Sequence, residues 1–333
     1  MLKIGLLGAG RIGNVHASAI TAHPASQLVA VSDVNMEAAR KLAASHGAQA
    51  RTTAEILGDA SIDAVLIATS TDTHSDLIEA ATKAGKAVLC EKPVDLSLAR
   101  AQACLKAVAP TGRLVMIGFN RRFDPNFAAL KAKADAGQIG KAELLSITSF
   151  DPAPPPVAYV AVSGGLFRDM MIHDFDMACW LMGAAPAKVT AVGSSIVDPE
   201  IGKAGDVDTA VVTLHFADGR IAVIQNSRRA VYGYDQRIEL LGSGGLLSAG
   251  NVLENTVSMA TAQGVVSAKP EYFFLERYMR AYSAEWSAFV DAVQGKSKPP
   301  VTLEDGVLAL AVAEAATRSA KTGQTVTLAS VLG

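Results

Sequence analysis

The feature that most constrains this chain is a glycine pattern set between a short apolar run and a helix-like segment. Residues 3–7 are apolar apart from Lys3, and Gly8-Ala9-Gly10-Arg11-Ile12-Gly13 follows at once. A bare GxGxxG is weak evidence, but after a strand and before a helix each glycine has a task. Gly8 permits the tight turn, Gly10 lets the backbone approach a pyrophosphate, and Gly13 lets helix and strand pack closely. The helix N-terminus then offers its amides to phosphate charge. Asp33 ends the next strand candidate, 20 positions after Gly13. A carboxylate there can hydrogen-bond the ribose hydroxyls of adenosine and would repel a 2′-phosphate. Val34, Asn35 and Met36 bring no cation to offset it. The pattern predicts NAD as cofactor in preference to NADP. A helix N-cap is the competing local role for Asp33.

Short apolar runs at 28–32, 64–68, 87–90 and 114–117 continue the pattern without clean alternation, as expected for parallel strands covered on both faces. Helix-like stretches rich in Ala, Leu, Lys and Glu lie between them at 36–46, 72–84 and 96–108. This repetition predicts an α/β fold whose first domain, residues 1–119, is a Rossmann domain with a doubly wound parallel sheet. The pattern then changes. A helix over 125–136 leads to a long strand over 142–150, a proline-rich loop from Asp151, and a helix over 166–182 ended by Gly183. Strand candidates at 188–196, 209–216, 220–227 and 236–241 follow without intervening helices, with Asp218-Gly219 as a hairpin signal. Helices over 276–293 and 303–321 close the chain. Residues 120–333 therefore read as a C-terminal α+β domain on a largely antiparallel open sheet, for substrate binding and oligomerisation, whose last helix can pack back on the first domain.

Composition narrows the function classes. Among 333 residues, 50% are hydrophobic and 19% charged, which suits packed cores and not disorder. A formal net charge of -2 gives no footing for a nucleic-acid partner. The apolar start MLKIGLLGAGRIG is broken by glycines too early for a signal peptide, and no run approaches a membrane span. Cys90, Cys104 and Cys179 are odd in number and far apart, against a disulfide framework or a structural zinc site. A cytoplasmic protein with no membrane partner is expected.

Two further segments carry chemistry. Thr69-Ser70-Thr71-Asp72-Thr73-His74 follows one parallel strand candidate and Cys90-Glu91-Lys92-Pro93 ends the next, both on the edge where ligands bind. Thr71 and Asp72 could equally cap a helix. Lys92 could stabilise an alkoxide, although on position alone a surface lysine is the simpler reading. In Phe167-Arg168-Asp169-Met170-Met171-Ile172-His173, Asp169 and His173 are four apart and would share a helix face. A carboxylate beside an imidazole suits a general base, and equally a surface ion pair.

Taken in order, GLLGAGRIGNVHA, CEKP, GFNRRFDPNF, GGLFRDMMIHDFDMACWL and YGYDQRIELLGS resemble the Gfo/Idh/MocA oxidoreductase family, and within it the branch acting on inositols. The resemblance spans most of the chain. It implies NAD-dependent oxidation of a secondary ring hydroxyl of a cyclic polyol, myo-inositol or an isomer, to an inosose, with no metal. Dehydrogenation of an aldose or another sugar is the alternative, and a non-catalytic nucleotide sensor a more distant one. The resemblance implies Lys92, Asp169 and His173 as catalytic residues, with substrate contacts from Arg121, Asp151 and Tyr234 as well. Cofactor contacts are expected from Gly8, Gly10, Arg11, Ile12, Gly13, Asp33, Thr69, Ser70, Thr71, His74, Glu91 and Lys92. A homotetramer joined through the open sheet is implied too. The chain departs from the inositol pattern at Phe150 and at Ala161-Val162, where basic residues are expected, and this bears on which polyol is recognised.

Overall fold

The computed structural model describes all residues, 1–333, and clusters into two compact units. The first comprises Met1–Phe123 with Met279–Leu310, the second Asp124–Tyr278 with Ala311–Gly333. No helix is long and apolar enough to cross a membrane.

The first unit holds six strands, β1 (Leu2–Leu7), β2 (Ser26–Ser32), β3 (Gln49–Ala50), β4 (Ala64–Ile67), β5 (Ala87–Glu91) and β6 (Val115–Gly118). They pair in the order β3-β2-β1-β4-β5-β6, every pair parallel. This is the doubly wound order of a Rossmann fold, with the reversal of direction between β1 and β4. Helices α1 (Arg11–Ala22), α2 (Met36–Ser45), α3 (Thr53–Gly58), α4 (His74–Lys83) and α5 (Leu98–Val108) connect the strands. Both faces are covered, so Ile4, Leu6, Leu7, Val65, Leu66, Ile67, Val88, Leu89 and Ile117 lie at 1% exposure or less. That explains the continuous apolar runs without alternation. The two-residue β3 and six-residue α3 escape the sequence reading because neither is long enough to show a period. Asn35, not Asp33, caps α2, accepting from the amides of Glu37 and Ala38. Neither Thr71 nor Asp72 caps a helix through its side chain; both lie in a 3-10 turn, Thr71–Thr73, ahead of α4.

In the second unit α6 (Pro125–Asp135) starts at an Asp124 cap with proline in its first turn. A seven-stranded sheet follows, built from β7 (Ala142–Phe150), β8 (Lys188–Ser194), β9 (Thr209–His215), β10 (Ile221–Ser227), β11 (Asp235–Gly242), β12 (Gly245–Ala249) and β15 (Val326–Thr327). The order is β12-β11-β7-β10-β9-β8-β15, antiparallel throughout except where β10 runs parallel to β7. A separate hairpin pairs β13 (Ser258–Thr261) with β14 (Gly264–Ser267). The expected strand over 188–196 stops at Ser194, and α10 (Pro199–Lys203) follows.

The helix expected over 166–182 is not continuous. After α7 (Val157–Ser163), α8 (Leu166–Asp169) ends, Met170 and Met171 intervene, and α9 (Ile172–Met182) runs to Gly183, whose φ of 64° closes it. Met171 N–H reaches back five residues to Leu166 O, and His173 N–H only three to Met170 O, so the regular i to i−4 ladder is broken there. Asp169 and His173 therefore lie on separate helices and do not share one helix face through their spacing of four.

The chain ends with α11 (Phe274–Arg277), α12 (Met279–Val293), α13 (Leu303–Thr322) and α14 (Ala329–Leu332). It is α12, with the first turns of α13, that joins the first unit. Tyr282, Glu285, Trp286 and Phe289 recur at helical spacing and are buried. Trp286 Nε1–H donates to Ser26 Oγ at 2.9 Å, and the Tyr282 ring meets His16 edge-on at 5.3 Å. Burying each of the larger rings stabilises the unit by about 2–3 kcal/mol.

Candidate active site

The glycine loop leaves β1 beside the end of β4. Gly8 has φ 106°, and a Cβ on it would lie 2.3 Å from Ala68 O, so only glycine allows the two strand ends to approach. A Cβ on Gly13 would lie 2.1 Å from Gly8 O, which fixes how closely α1 sits on its own loop. Gly10, at the N-cap of α1, has nothing within 4 Å of a built Cβ. The three glycines thus divide as the motif requires, two for packing and one facing open space. Arg11 is exposed and Ile12 half-buried in the first turn of α1. Asp33 follows β2, its Oδ2 accepting from Ala9 N–H at 2.6 Å and its Oδ1 from Asn35 N–H at 2.8 Å. These bonds orient the carboxylate and leave lone pairs for further donors. An open loop, a helix N-terminus and an oriented carboxylate fit a dinucleotide.

The loop after β4 is held from beneath. Thr69 Oγ1 lies 2.7 Å from Thr73 Oγ1, and Thr73 Oγ1–H donates to Ser70 O at 2.8 Å. Ser70 is exposed and Thr71 half-buried. His74 is buried, with Nδ1 2.8 Å from Pro93 O and Nε2 3.2 Å from Thr69 O. Burial pushes its imidazole below the usual range, so it is neutral at pH 7 and donates through one nitrogen. The shorter contact makes Nδ1 that donor. Both nitrogens face main-chain carbonyls, so what His74 gives the site is alignment of the Thr69 loop with the loop after β5.

Glu91 closes β5, and Lys92 is half-buried next to it, before a cis bond to Pro93. Glu91 Oε1 lies 2.7 Å from His16 Nε2 and Oε2 accepts from Lys92 N–H at 3.3 Å. Glu91 thus anchors the main chain that carries Lys92. Arg121 is buried in the 3-10 turn Asn120–Phe123 after β6. Its neighbour Arg122 donates to Pro300 O at 3.1 Å and pairs with Asp305 at 3.4 Å.

In the second unit, Asp151 follows β7, where its N–H donates to Ser227 O and its carbonyl accepts from Ala230 N–H. Asp169 ends α8 and His173 is the second residue of α9, both half-buried. Tyr159 Oη–H donates to Asp169 Oδ1 at 3.0 Å, and Arg228 Nη2 lies 3.7 Å from Asp169 Oδ2. Tyr234 is buried against Phe273 and Tyr278, edge-on at 6.3 and 5.9 Å. The sequence reading missed Tyr159, Arg228 and His16. His16 lies within the first motif but meets Glu91 75 residues away, while Tyr159 and Arg228 fall in no motif and reach Asp169 from ten residues before it and from far beyond it.

Residues 2–119 match the oxidoreductase family's NAD-binding Rossmann fold, and residues 131–328 its C-terminal alpha/beta domain. An inositol 2-dehydrogenase of Rhizobium meliloti is 49% identical over 318 residues, 96% of each chain. A myo-inositol 2-dehydrogenase of Thermotoga maritima is 47% identical over all of both chains. A crystal structure of scyllo-inositol dehydrogenase from Lactobacillus casei, with bound NAD(H) and scyllo-inositol, superposes with a TM-score of 0.90 at 31% identity, covering 99% of each chain. Matches of this extent, over a fold with the parallel order and glycine loop described, place the chain in the Gfo/Idh/MocA oxidoreductase family.

Proposed function

We propose that the protein oxidises a secondary ring hydroxyl of a cyclic polyol, myo-inositol or an isomer, to an inosose with NAD as acceptor. The observation that carries this reading is 47% identity to a myo-inositol 2-dehydrogenase over the whole of both chains. In the proposed reaction His173 takes the proton of the substrate hydroxyl and Asp169 stabilises the imidazolium that results. Lys92 stabilises the substrate oxygen as negative charge grows on it. NAD, when bound, supplies the hydride acceptor. Arg121, Asp151 and Tyr234 hold the remaining hydroxyls. Gly8, Gly10 and Gly13 shape the pyrophosphate site, Arg11 and Ile12 present the first turn of α1, and Asp33 takes the adenosine ribose. Thr69, Ser70, Thr71, Glu91 and Lys92 complete the cofactor site, and His74 fixes its loops.

Work in the cytoplasm suits an enzyme that draws on soluble NAD and keeps its three cysteines as thiols. A homotetramer joined through the open sheet is supported by its outer face. Leu246, Leu241, Leu144 and Ile221 are register neighbours across β12, β11, β7 and β10, each 37–53% exposed. Such a row of apolar side chains wants a partner. Light scattering on purified protein should return the mass of four chains.

A spectrophotometric screen of inositols and aldoses with NAD and NADP tests the activity. Reduction of NAD by an inositol and by no aldose is expected. Turnover of aldoses alone would move the assignment to sugars, and bound cofactor without turnover of any polyol would favour a sensor.

A further inference from the structure

Asp169 belongs to a buried charge row. Arg228, just past the end of β10, has a side chain only 2% exposed, and its N–H donates to Asp208 O at 2.8 Å. Its Nη2 lies 3.7 Å from Asp169 Oδ2 and 3.8 Å from Asp206 Oδ2. Neither Nε nor Nη2 makes a hydrogen bond, so the guanidinium acts on both carboxylates through its charge. Asp206, only 13% exposed, accepts Leu166 N–H with both oxygens at 3.0 Å. Leu166 opens α8 and Asp169 ends it, so Asp206 fixes the start of the element that carries Asp169.

We propose that Arg228 and Asp206 are positioning residues whose opposite charges set the pH at which the Asp169 and His173 pair becomes competent as a base. The inference rests on the proposed roles of those two residues. The row Asp206, Arg228, Asp169 carries minus, plus, minus, a net charge of −1 that ends on the carboxylate assigned above as the partner of His173. A buried row of this kind is screened little by solvent. Removing its positive member strengthens the negative field and favours the imidazolium. Removing Asp206 does the reverse. Charged groups elsewhere on the packed elements, buried Asp176 of α9 among them, are the same in every variant tested below. Arg168 pairs with Glu314 of α13, and Asp174 of α9 accepts from Asn226 of β10. Asp208 accepts from the amides of Ile196, Val197 and Asp198, and Arg229 reaches Val197 O. Tyr159 of α7 also donates to Asp169, and Asp151 is tied by its main chain to Ser227 and Ala230.

The test is the pH dependence of kcat/KM for polyol oxidation in Asp206→Asn, Arg228→Met, Arg228→Lys and the double variant Asp206→Asn with Arg228→Met. Asparagine keeps an oxygen for Leu166 N–H, so α8 retains its start. A base must be neutral to act, so the acid limb should move down in pH by roughly 0.5–1 unit in Asp206→Asn and up by a similar amount in Arg228→Met. It should stay near the parent value in Arg228→Lys and return there in the double variant, where the net charge is restored. A purely structural role predicts lower rates with an unmoved limb, and that result overturns the inference. If Arg228→Met fails to fold, the downward shift in Asp206→Asn decides alone. His173→Ala serves as control and should abolish the limb. A limb that survives in it means the base assignment has failed, and this inference falls with it.

Discussion

Lys92 offers the sharpest test at the scale of single residues. It follows a strand whose last residue, Glu91, is anchored both to His16 and to Lys92's own amide, so the main chain at Lys92 is held by Glu91. Lys92→Ala should therefore fold and bind NADH normally while kcat falls by about a thousandfold, the scale of losing one preorganised charge on a developing oxyanion. Fluorescence titration with NADH beside steady-state rates separates the two, and a variant keeping most of its activity would make Lys92 a surface lysine. Asp33 carries the companion prediction. With its carboxylate held over the glycine loop, kcat/KM with NAD should exceed that with NADP, and Asp33→Ala should narrow the gap. Equal use of both cofactors by the parent enzyme would refute this. The motif glycines and Asp33 were legible in the sequence because their chemistry depends on local order. Arg228 and Tyr159 were not, because Arg228 looks like part of a surface Arg-Arg pair and Tyr159 like part of an exposed apolar turn. Only the fold brings a phenol ten residues before Asp169 and a guanidinium far beyond it to one carboxylate.

Elements show the same division between local and distant causes. Most strands of both sheets lie within two residues of their sequence expectations, because a parallel core writes unbroken apolar runs and an antiparallel sheet writes alternation. The break between α8 and α9 left no such mark. Met170-Met171 contains neither proline nor glycine, and the interruption sits where Asp206 holds one end of α8 and Tyr159 and Arg228 meet the other. The loop from β1 into α1 gives a prediction in which two glycines of one motif behave oppositely. Gly13→Ala drives a Cβ into Gly8 O at 2.1 Å, a main-chain atom that cannot swing aside, so stability should drop by about 1–3 kcal/mol. Gly10→Ala meets nothing within 4 Å and should melt like the parent, yet bind NADH at least tenfold more weakly because the methyl occupies the approach to the pyrophosphate. Thermal melts and NADH titrations of both variants settle it, and a Gly10→Ala protein with unchanged affinity would place the pyrophosphate elsewhere.

For the molecule as a whole, the return of α12 to the first unit has a cost that depends on pH. The helix buries Tyr282, Trp286 and Phe289 with Glu285 on the same face. Glu285 is fully buried, and neither carboxyl oxygen finds a hydrogen-bond partner. Burial, and secondarily the charge of Glu91, push its carboxyl well above the ordinary value of 4.5. The folded protein therefore keeps this proton at pH values where the unfolded chain has released it. The group's contribution to stability is full below about pH 4.5 and declines as pH rises, by about 1.4 kcal/mol per unit, until the folded carboxyl itself ionises. Glu285→Gln removes the titration and keeps the shape. The absolute stability of the variant depends on how its amide is received, but the comparison across pH does not. Between pH 5 and pH 8 the difference in Tm, variant minus parent, should shift steadily in favour of the variant, while every other titrating group cancels because both proteins share it. At pH 4 the proton is bound in both states of the parent and the difference should level off. Melting curves followed by circular dichroism across that range are sufficient. A difference that stays flat from pH 4 to pH 8 would mean that Glu285 gives up its proton as readily in the folded protein as in the unfolded chain, and that α12 docks with that carboxylate charged.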